Sequence, residues 1–346
     1  MQIGNQKIGK SQSVFIIAEL SANHNGSLEV ALETIRAAKR AGADAVKLQT
    51  YTPDTITIDS KKPDFKLDSG TIWDGQTLYE LYQKAYTPWE WHEQLFKVAM
   101  DEEILCFSSP FDISAVDFLE QFDVPAYKIA SFEITDIPLI QYVARKKKPI
   151  IISTGIADHT DIQLALDTCY AEGNQDIVLL KTTSEYPAKI ADANLIMMTD
   201  MAKKYTVLTG LSDHTLGSVV PIVATAMGAA VIEKHIAIDK SEGVDASFSL
   251  NEKEFSEMVH EVRLAEQARG IVNYDLDDRK IKARKFARSL YVVMDVKKGD
   301  VVSMKNVKSI RPGYGLHPKH LHDIMGKRFI QDVKKGERME LTAIET

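Results

Sequence analysis

GLSDHTLGSVVPIVATAMGAAVIEKH, residues 210–235, decides the fold. An apolar run closes at Gly210 and gives way to Ser212, Asp213, His214 and Thr215. A helix-like apolar segment follows, and a second apolar run closes at Glu233, Lys234 and His235. The stretch reads strand, helix, strand, with a histidine just past the end of each strand. Strands joined by one helix run parallel and are usually neighbours, with backbones about 4.8 Å apart. Two imidazoles at the same ends of neighbouring strands converge, and His214 and His235 are therefore candidate ligands of one metal ion.

The same unit repeats toward both termini. Apolar runs predict strands over 14–18, 45–48, 105–108, 126–129, 149–152, 177–180, 207–210 and 230–234, each followed by a helical pattern. In the first of these helices Leu28, Ala31, Leu32, Ile35, Ala38 and Ala41 share one face, Ser27 can cap the start, and Gly42 ends it. Eight strand-helix units predict a (β/α)8 TIM barrel over residues 1–269. A doubly wound open sheet is the alternative, but no Gly-x-Gly-x-x-Gly follows any strand. Residues 53–86, punctuated by Pro53, Pro63, Gly70 and Gly75, read as a long loop over the strand ends, either a lid or a plain insertion.

Residues 270–288 lose apolar periodicity and carry Arg279, Lys280, Lys282, Arg284, Lys285 and Arg288, which marks a linker. The tail, 289–346, has short strand signals at 290–294 and 301–302 and a partial repeat. Asp295-Val296-Lys297-Lys298-Gly299 recurs as Asp332-Val333-Lys334-Lys335-Gly336. A duplicated turn motif predicts a small, mostly β domain with internal pseudo-symmetry.

Composition narrows the class. The 346 residues are 45% hydrophobic and 26% charged, as in a soluble globular protein. No apolar run reaches the roughly 18 residues a membrane span needs, and the N-terminus has no signal-peptide pattern. Cys106 and Cys169 both lie in apolar segments and read as reduced core thiols, so a cytoplasmic location is expected. A net charge of −7 argues against a nucleic-acid partner.

In barrel enzymes the active site lies at the C-terminal strand ends. Here every strand end carries polar residues. Lys47, Ser109, Lys128, Ser131, Ser153, Ser184 and Ser212 form a set of cations and hydroxyls suited to an anionic phosphate or carboxylate. Ser153-Thr154-Gly155 before a helix resembles a phosphate turn. Glu19 and Glu133 are candidate proton carriers, with pairing to a nearby lysine as the plain structural alternative.

These residues fall in a larger set of motifs: AELSANHNG (18–26), AVKLQTY (45–51), SSPFD (108–112), YKIASFE (127–133), STGI (153–156), TSEYP (183–187), GLSDHT (210–215), IEKH (232–235), FARSLY (286–291) and SIRPGYG (309–315). The set resembles the sialic acid synthase family over essentially the whole chain. AELSANH with KLQTYTPD is most similar to the pseudaminic acid branch. The resemblance implies that the barrel is followed by an antifreeze-like (SAF) domain, and that two chains form a domain-swapped homodimer. It implies condensation of phosphoenolpyruvate with an open-chain amino-sugar aldehyde and water, releasing phosphate by C–O cleavage. Lys47, Ser109, Lys128, Ser131, Ser153, Ser184 and Ser212 would bind phosphoenolpyruvate, and Glu19 and Glu133 would be catalytic. Gln49, Phe111, Tyr186 and Asp245 would line the sugar pocket, joined by Arg311 from the neighbouring subunit.

His214 and His235 would hold manganese or magnesium, although imidazole ligands by their own chemistry suit zinc or iron. Lys181 departs from the sialic acid type, which tends to carry histidine there, and suits a differently substituted sugar. Three other readings stay open: a Schiff-base pyruvate aldolase using Lys128 or Lys181, an ice- or sugar-binding protein, and a synthase for N-acetylneuraminate or legionaminate.

Overall fold

A computed structural model of the chain describes residues 1–9, 11–68, 70, 73–241 and 243–346. These divide into two compact units, Met1–Gly270 and Ile271–Thr346.

In the first unit eight parallel strands close into a barrel in sequence order. They are β1 (Phe15–Glu19), β2 (Ala45–Thr50), β3 (Leu105–Pro110), β4 (Tyr127–Ile129), β5 (Ile150–Ser153), β6 (Ile177–Thr182), β7 (Leu208–Asp213) and β8 (Val231–His235). One principal helix follows each strand: α1 (Leu28–Arg40), α2 (His92–Asp101), α3 (Ile113–Leu119), α4 (Ile137–Arg145), α5 (His159–Ala171), α6 (Ile196–Tyr205), α7 (Val219–Ala226) and α8 (Glu252–Arg269). The strands are near-continuous apolar runs because both faces are covered, one by the helices and one by the barrel interior. Alternation divides β1 accordingly. Ile16 and Ala18 pack with Ile35 and Ala38 of α1, while Phe15 and Ile17 belong to a different cluster with Ala45 and Phe107. Ser27 does cap α1, accepting from the Val30 amide at 3.4 Å.

The barrel closes where β8 pairs with β1, and in that register His235 lies opposite Glu19 and Val231 opposite Phe15. Glu19 lies opposite Lys47 of β2 in turn. On the other side of β8, Glu233 pairs with Ser212, which pairs with Thr182. Residues matched across a parallel pair point to the same face. Thr182, Ser212 and Glu233 therefore face inward together, and Glu19, Lys47 and His235 do so beside them.

Several strands run further than the sequence predicts. β2, β6 and β7 each end in two polar residues past their apolar cores. Segment 53–86 is not a plain loop. It contains the helix Leu78–Ala85, which opens with a capping box of Thr77 and Glu80, and a short helical turn at Pro53–Ile56. A two-stranded hairpin, Gln2–Ile3 with Gln6–Lys7, precedes the barrel, and its Ile3 joins the core cluster of Phe15 and Ile17.

The second unit begins with Asp278–Ala283, a short helix inside the stretch expected to be a linker. Its sheet pairs β9 (Ser289–Val292) with β10 (Val307–Ile310). Val301, expected in the second strand, makes only an isolated bridge to Arg328. The repeat is a true structural pair. Val296 bridges Val333 antiparallel, Lys297 Nζ reaches Asp332 at 2.6 Å, and Lys334 Nζ reaches Asp295 at 2.8 Å. Asp332 and Asp295 also accept from the amides of Lys298 and Lys335, both at 2.9 Å. Gly299 and Gly336 each take a φ of 92°, which favours glycine at the same point of both turns.

Candidate active site

The C-terminal mouth of the barrel holds a cavity of about 590 Å³, within the usual size of a small-molecule site. Of the residues singled out in the sequence, Glu19, Lys47, Gln49, Phe111, Lys128, Ser131, Glu133, Ser153, Tyr186, Ser212, His214, His235 and Asp245 line it.

Its floor is an ion network. Lys47 Nζ lies 2.6 Å from Glu19 and 3.7 Å from Glu233, and Lys128 Nζ lies 3.8 Å from Glu233. Lys128 also donates to Ser153 at 2.7 Å, Lys47 to Ser109 at 3.3 Å, and Ser212 to Glu233 at 3.1 Å. Burial pushes the Glu19 carboxyl up to about 7, with Lys47 opposing and Glu233 adding to the rise. Burial likewise raises Glu133 to about 7. Burial also works against the charge on both lysines. It wins at Lys128, which falls to about 8. At Lys47 the two carboxylates win and the value rises. Glu233 goes the other way from Glu19: Lys128 and Lys47 overcome its burial and hold it below the usual range. Two carboxyls near neutrality beside two buried cations form an arrangement that can bind an anion and also move a proton.

Gln49 Nε2 donates to Glu19 at 2.9 Å and to Ser21 at 3.1 Å, and Ser21 donates to Asp245. Glu19 and Asp245 are thereby joined into one hydrogen-bonded chain. Burial raises Asp245 to about 6. Gly155 brings two serines together: a Cβ there would lie 2.0 Å from Ser184 Oγ and 2.7 Å from Ser131 Oγ. Its own amide donates to Ser131 at 3.2 Å.

The two histidines meet as expected, with ring centroids 5.2 Å apart. His214 Nδ1 donates to the Thr183 carbonyl at 2.9 Å, which leaves Nε2 as its lone-pair nitrogen. Burial lowers the pKa of both rings, further for His235, so both are neutral. His235 Nδ1 is buried with no hydrogen-bond partner, as are Glu133 Oε2 and Glu233 Oε2. Neutral imidazoles with a carbonyl-oriented ring fit a divalent ion. Among the described residues no cluster of three His, Cys, Asp or Glu that could hold a metal is present, so any ion held by the two rings would need further ligands from elsewhere. Behind the pair, Lys234 binds Asp213 at 2.5 Å, and Asp213 accepts from the Thr215 amide at 3.0 Å, fixing the turn that carries His214.

Some expectations are corrected. Ser109 is buried, accepts from Lys47 and does not line the cavity, and Ser184, packed close to Gly155, does not line it either. Lys181 does not reach the cavity as a sugar contact. Its Nζ donates to the Thr182 carbonyl and to Thr183 at 3.2 Å, securing the loop that orients His214. Ser153-Thr154-Gly155 is not a helix N-terminus, since α5 starts at His159 with Asp158 as its cap. Arg311 lies in the second unit, where it is exposed. Glu233 was the residue missed at the floor. Its signal was the alternation Glu233, Lys234, His235, which puts Glu233 on the same side as His235. The inserted helix and Phe248, 5.0 Å from the His235 ring, were missed as well.

Residues 34–274 match the NeuB family and residues 287–337 match the SAF domain. The chain is 52% identical to the pseudaminic acid synthase of Campylobacter jejuni serotype O:2, with 98% of each chain covered. It is 46% identical to the pseudaminic acid synthase of Helicobacter pylori, over 95% of this chain and 97% of that one. The structure is similar to that of the N-acetylneuraminic acid (sialic acid) synthetase of Leptospira borgpetersenii. The TM-score is 0.74 at 30% identity, covering 82% of this chain and 94% of that one. The chain belongs to the NeuB family, as a closed parallel barrel followed by a SAF domain.

Proposed function

We propose that the protein is a pseudaminic acid synthase. It condenses phosphoenolpyruvate with 2,4-diacetamido-2,4,6-trideoxy-L-altrose and water, giving the nine-carbon 2-keto acid and phosphate. It is a transferase of the C–O-cleaving kind. The observation that carries the reading is the convergence of buried lysines, hydroxyls, two carboxyls raised toward neutrality by burial and two neutral imidazoles in one cavity. The full-length identity to pseudaminic acid synthases narrows the acceptor.

Lys47 and Lys128 hold the phosphate and carboxylate of phosphoenolpyruvate, with Ser131, Ser153 and Ser212 as hydroxyl donors. C3 of the enol attacks the aldehyde carbon, and the aldehyde oxygen takes a proton. Glu19, poised near neutrality, supplies it. Water adds at C2 with Glu133 oriented toward it and accepting its proton. The hydroxyl now on C2 gives its proton to the Glu19 carboxylate as the C2–O bond to phosphate breaks, leaving the ketone, inorganic phosphate and a reprotonated Glu19. His214 and His235 would hold a manganese or magnesium ion, which when bound polarises the aldehyde oxygen. Gln49, Phe111, Tyr186 and Asp245 line the sugar side, and Arg311 of a second subunit completes it in a domain-swapped homodimer.

The test is phosphate release across a panel of amino-sugar acceptors. The trideoxy altrose should give the highest kcat/KM, and a higher value with N-acetylmannosamine or the legionaminate precursor would overturn the assignment. The lowered pKa of Lys128 gives one rival reading, an imine-forming aldolase, some footing. Borohydride with pyruvate should leave the protein unlabelled, and a covalent adduct on Lys128 would favour the aldolase. Arg311→Ala should raise the acceptor KM at least tenfold more than that for phosphoenolpyruvate, on the order expected for losing one charged hydrogen bond. Equal rises would remove Arg311 from the sugar site.

A further inference from the structure

The cavity is chemically two-sided. Its floor carries Lys47, Lys128, Glu19 and Glu233, while Leu78, Leu81, Tyr82 and Ala85 also line it and belong to the segment that leaves the C-terminal end of β2, beyond that floor. Those four come from one helix, Leu78–Ala85, inserted between β2 and α2. Positions 78, 81, 82 and 85 fall on a single helical face, so the helix presents one stripe to the cavity. The capping box of Thr77 and Glu80 fixes the start of the helix, and the Tyr82 ring packs edge-on against Tyr51 at 5.6 Å. Leu81 and Ala85 are buried, and with Leu78 they offer the cavity only carbon.

Bond formation to the enol must occur at the charged floor, because the anionic partner is held there. The aldehyde carbon of the acceptor therefore points inward. The carbon farthest from it along the open chain, C6, points to the outer side. A hydroxyl pressed against Leu78, Leu81 and Ala85 would lose its water partners, and those three side chains supply none in return. A methyl group there loses nothing.

Resting on the functional reading above, we infer that the Leu78–Leu81–Ala85 stripe of the inserted helix receives the 6-deoxy end of the acceptor and selects it against the 6-hydroxy sugar. A pocket of this kind discriminates against an added hydroxyl by about a hundredfold.

The experiment compares kcat/KM for the trideoxy altrose with that for its 6-hydroxy counterpart, using the full chain with manganese. The wild type should prefer the deoxy sugar roughly 30- to 100-fold, mostly through the acceptor KM. Leu81→Asn or Ala85→Ser, each supplying a partner for the hydroxyl, should shrink that ratio about tenfold and leave the KM for phosphoenolpyruvate where it was. Equal use of the two sugars by the wild type would overturn the inference and leave the functional reading standing, and needs no variant to fold. An unchanged ratio in both folded variants would also overturn it. Failure of both sugars to release phosphate would instead sink the functional reading, and the inference with it.

Discussion

The barrel mouth and the second unit both carry paired lysines and carboxylates, under opposite conditions. At the mouth the side chains of Lys47 and Glu19 are 4% and 1% exposed. In the tail those of Lys297 and Asp332 are 75% and 52% exposed, at the same 2.6 Å separation. Equal geometry does not mean equal consequence. Water screens the tail pairs, so they set the register of the duplicated turns and contribute little energy. At the mouth, desolvation costs each ion dearly and mutual attraction only partly offsets it. What the mouth gains is reactivity: protonation states that change near neutral pH, and cations ready to exchange a carboxylate for a substrate anion.

The largest expected effect lies at the mouth. His235→Ala should lower turnover at least roughly a thousandfold with the fold intact, the scale of a lost Lewis acid. Chelation should inactivate the wild type and manganese restore it, whereas full activity in metal-free buffer would remove the ion from the chemistry. Next comes Lys47→Met. It strips Glu19 of its partner and should both raise the KM for phosphoenolpyruvate more than a hundredfold and destabilise the protein by about 3 kcal/mol in chemical denaturation. A stability loss without a KM change would make Lys47 purely structural.

The third effect is on pH. Glu19 and Glu133 have folded-state values near 7, above the 4.5 of an unperturbed carboxyl. The folded state therefore holds their protons more tightly than the unfolded state does. Stability conferred by the protonated forms is fully present below about 4.5 and is lost as pH rises through 7, by at most ~3 kcal/mol per group. Glu133→Gln should flatten the fall of denaturation midpoint between pH 5 and 7.5, and an unchanged slope would contradict its shift. The smallest effect belongs to the tail. Lys297→Ala with Lys334→Ala should leave the unfolding midpoint of the second unit unmoved. A clear drop would mean that exposed pairs matter here as much as buried ones.

The barrel was legible because its strands are apolar on both faces and its helices keep their period, so each unit announces itself. What escaped detection had physical causes. Strand ends were placed short because their last residues are polar, and polar strand ends are where the site is built. The helix at Leu78–Ala85 hid among prolines and glycines, although Thr77-Leu78-Tyr79-Glu80 is a capping-box sequence. The hairpin at Gln2–Ile3 is too short to leave a periodic signal. Site residues on strand ends, such as Glu19, Lys47 and His235, followed from position alone. The burial of Ser109 and the turning aside of Lys181 depend on rotamers and neighbours that linear spacing does not encode. Arg311 belongs to a different unit, and its proposed place depends on a second chain.

The pairing of His235 with Glu19 joins the last barrel strand to the first. A ribosome that has delivered residues only as far as β7 has made both ammonium groups of the floor and just one of the two carboxylates that face them. Glu233 and the second imidazole arrive with the final strand, so the reactive charges are brought to balance in the same event that completes the ring. Assembly of the chemistry and completion of the fold are thus one step, and a product truncated before the final strand would lack both Glu233 and His235.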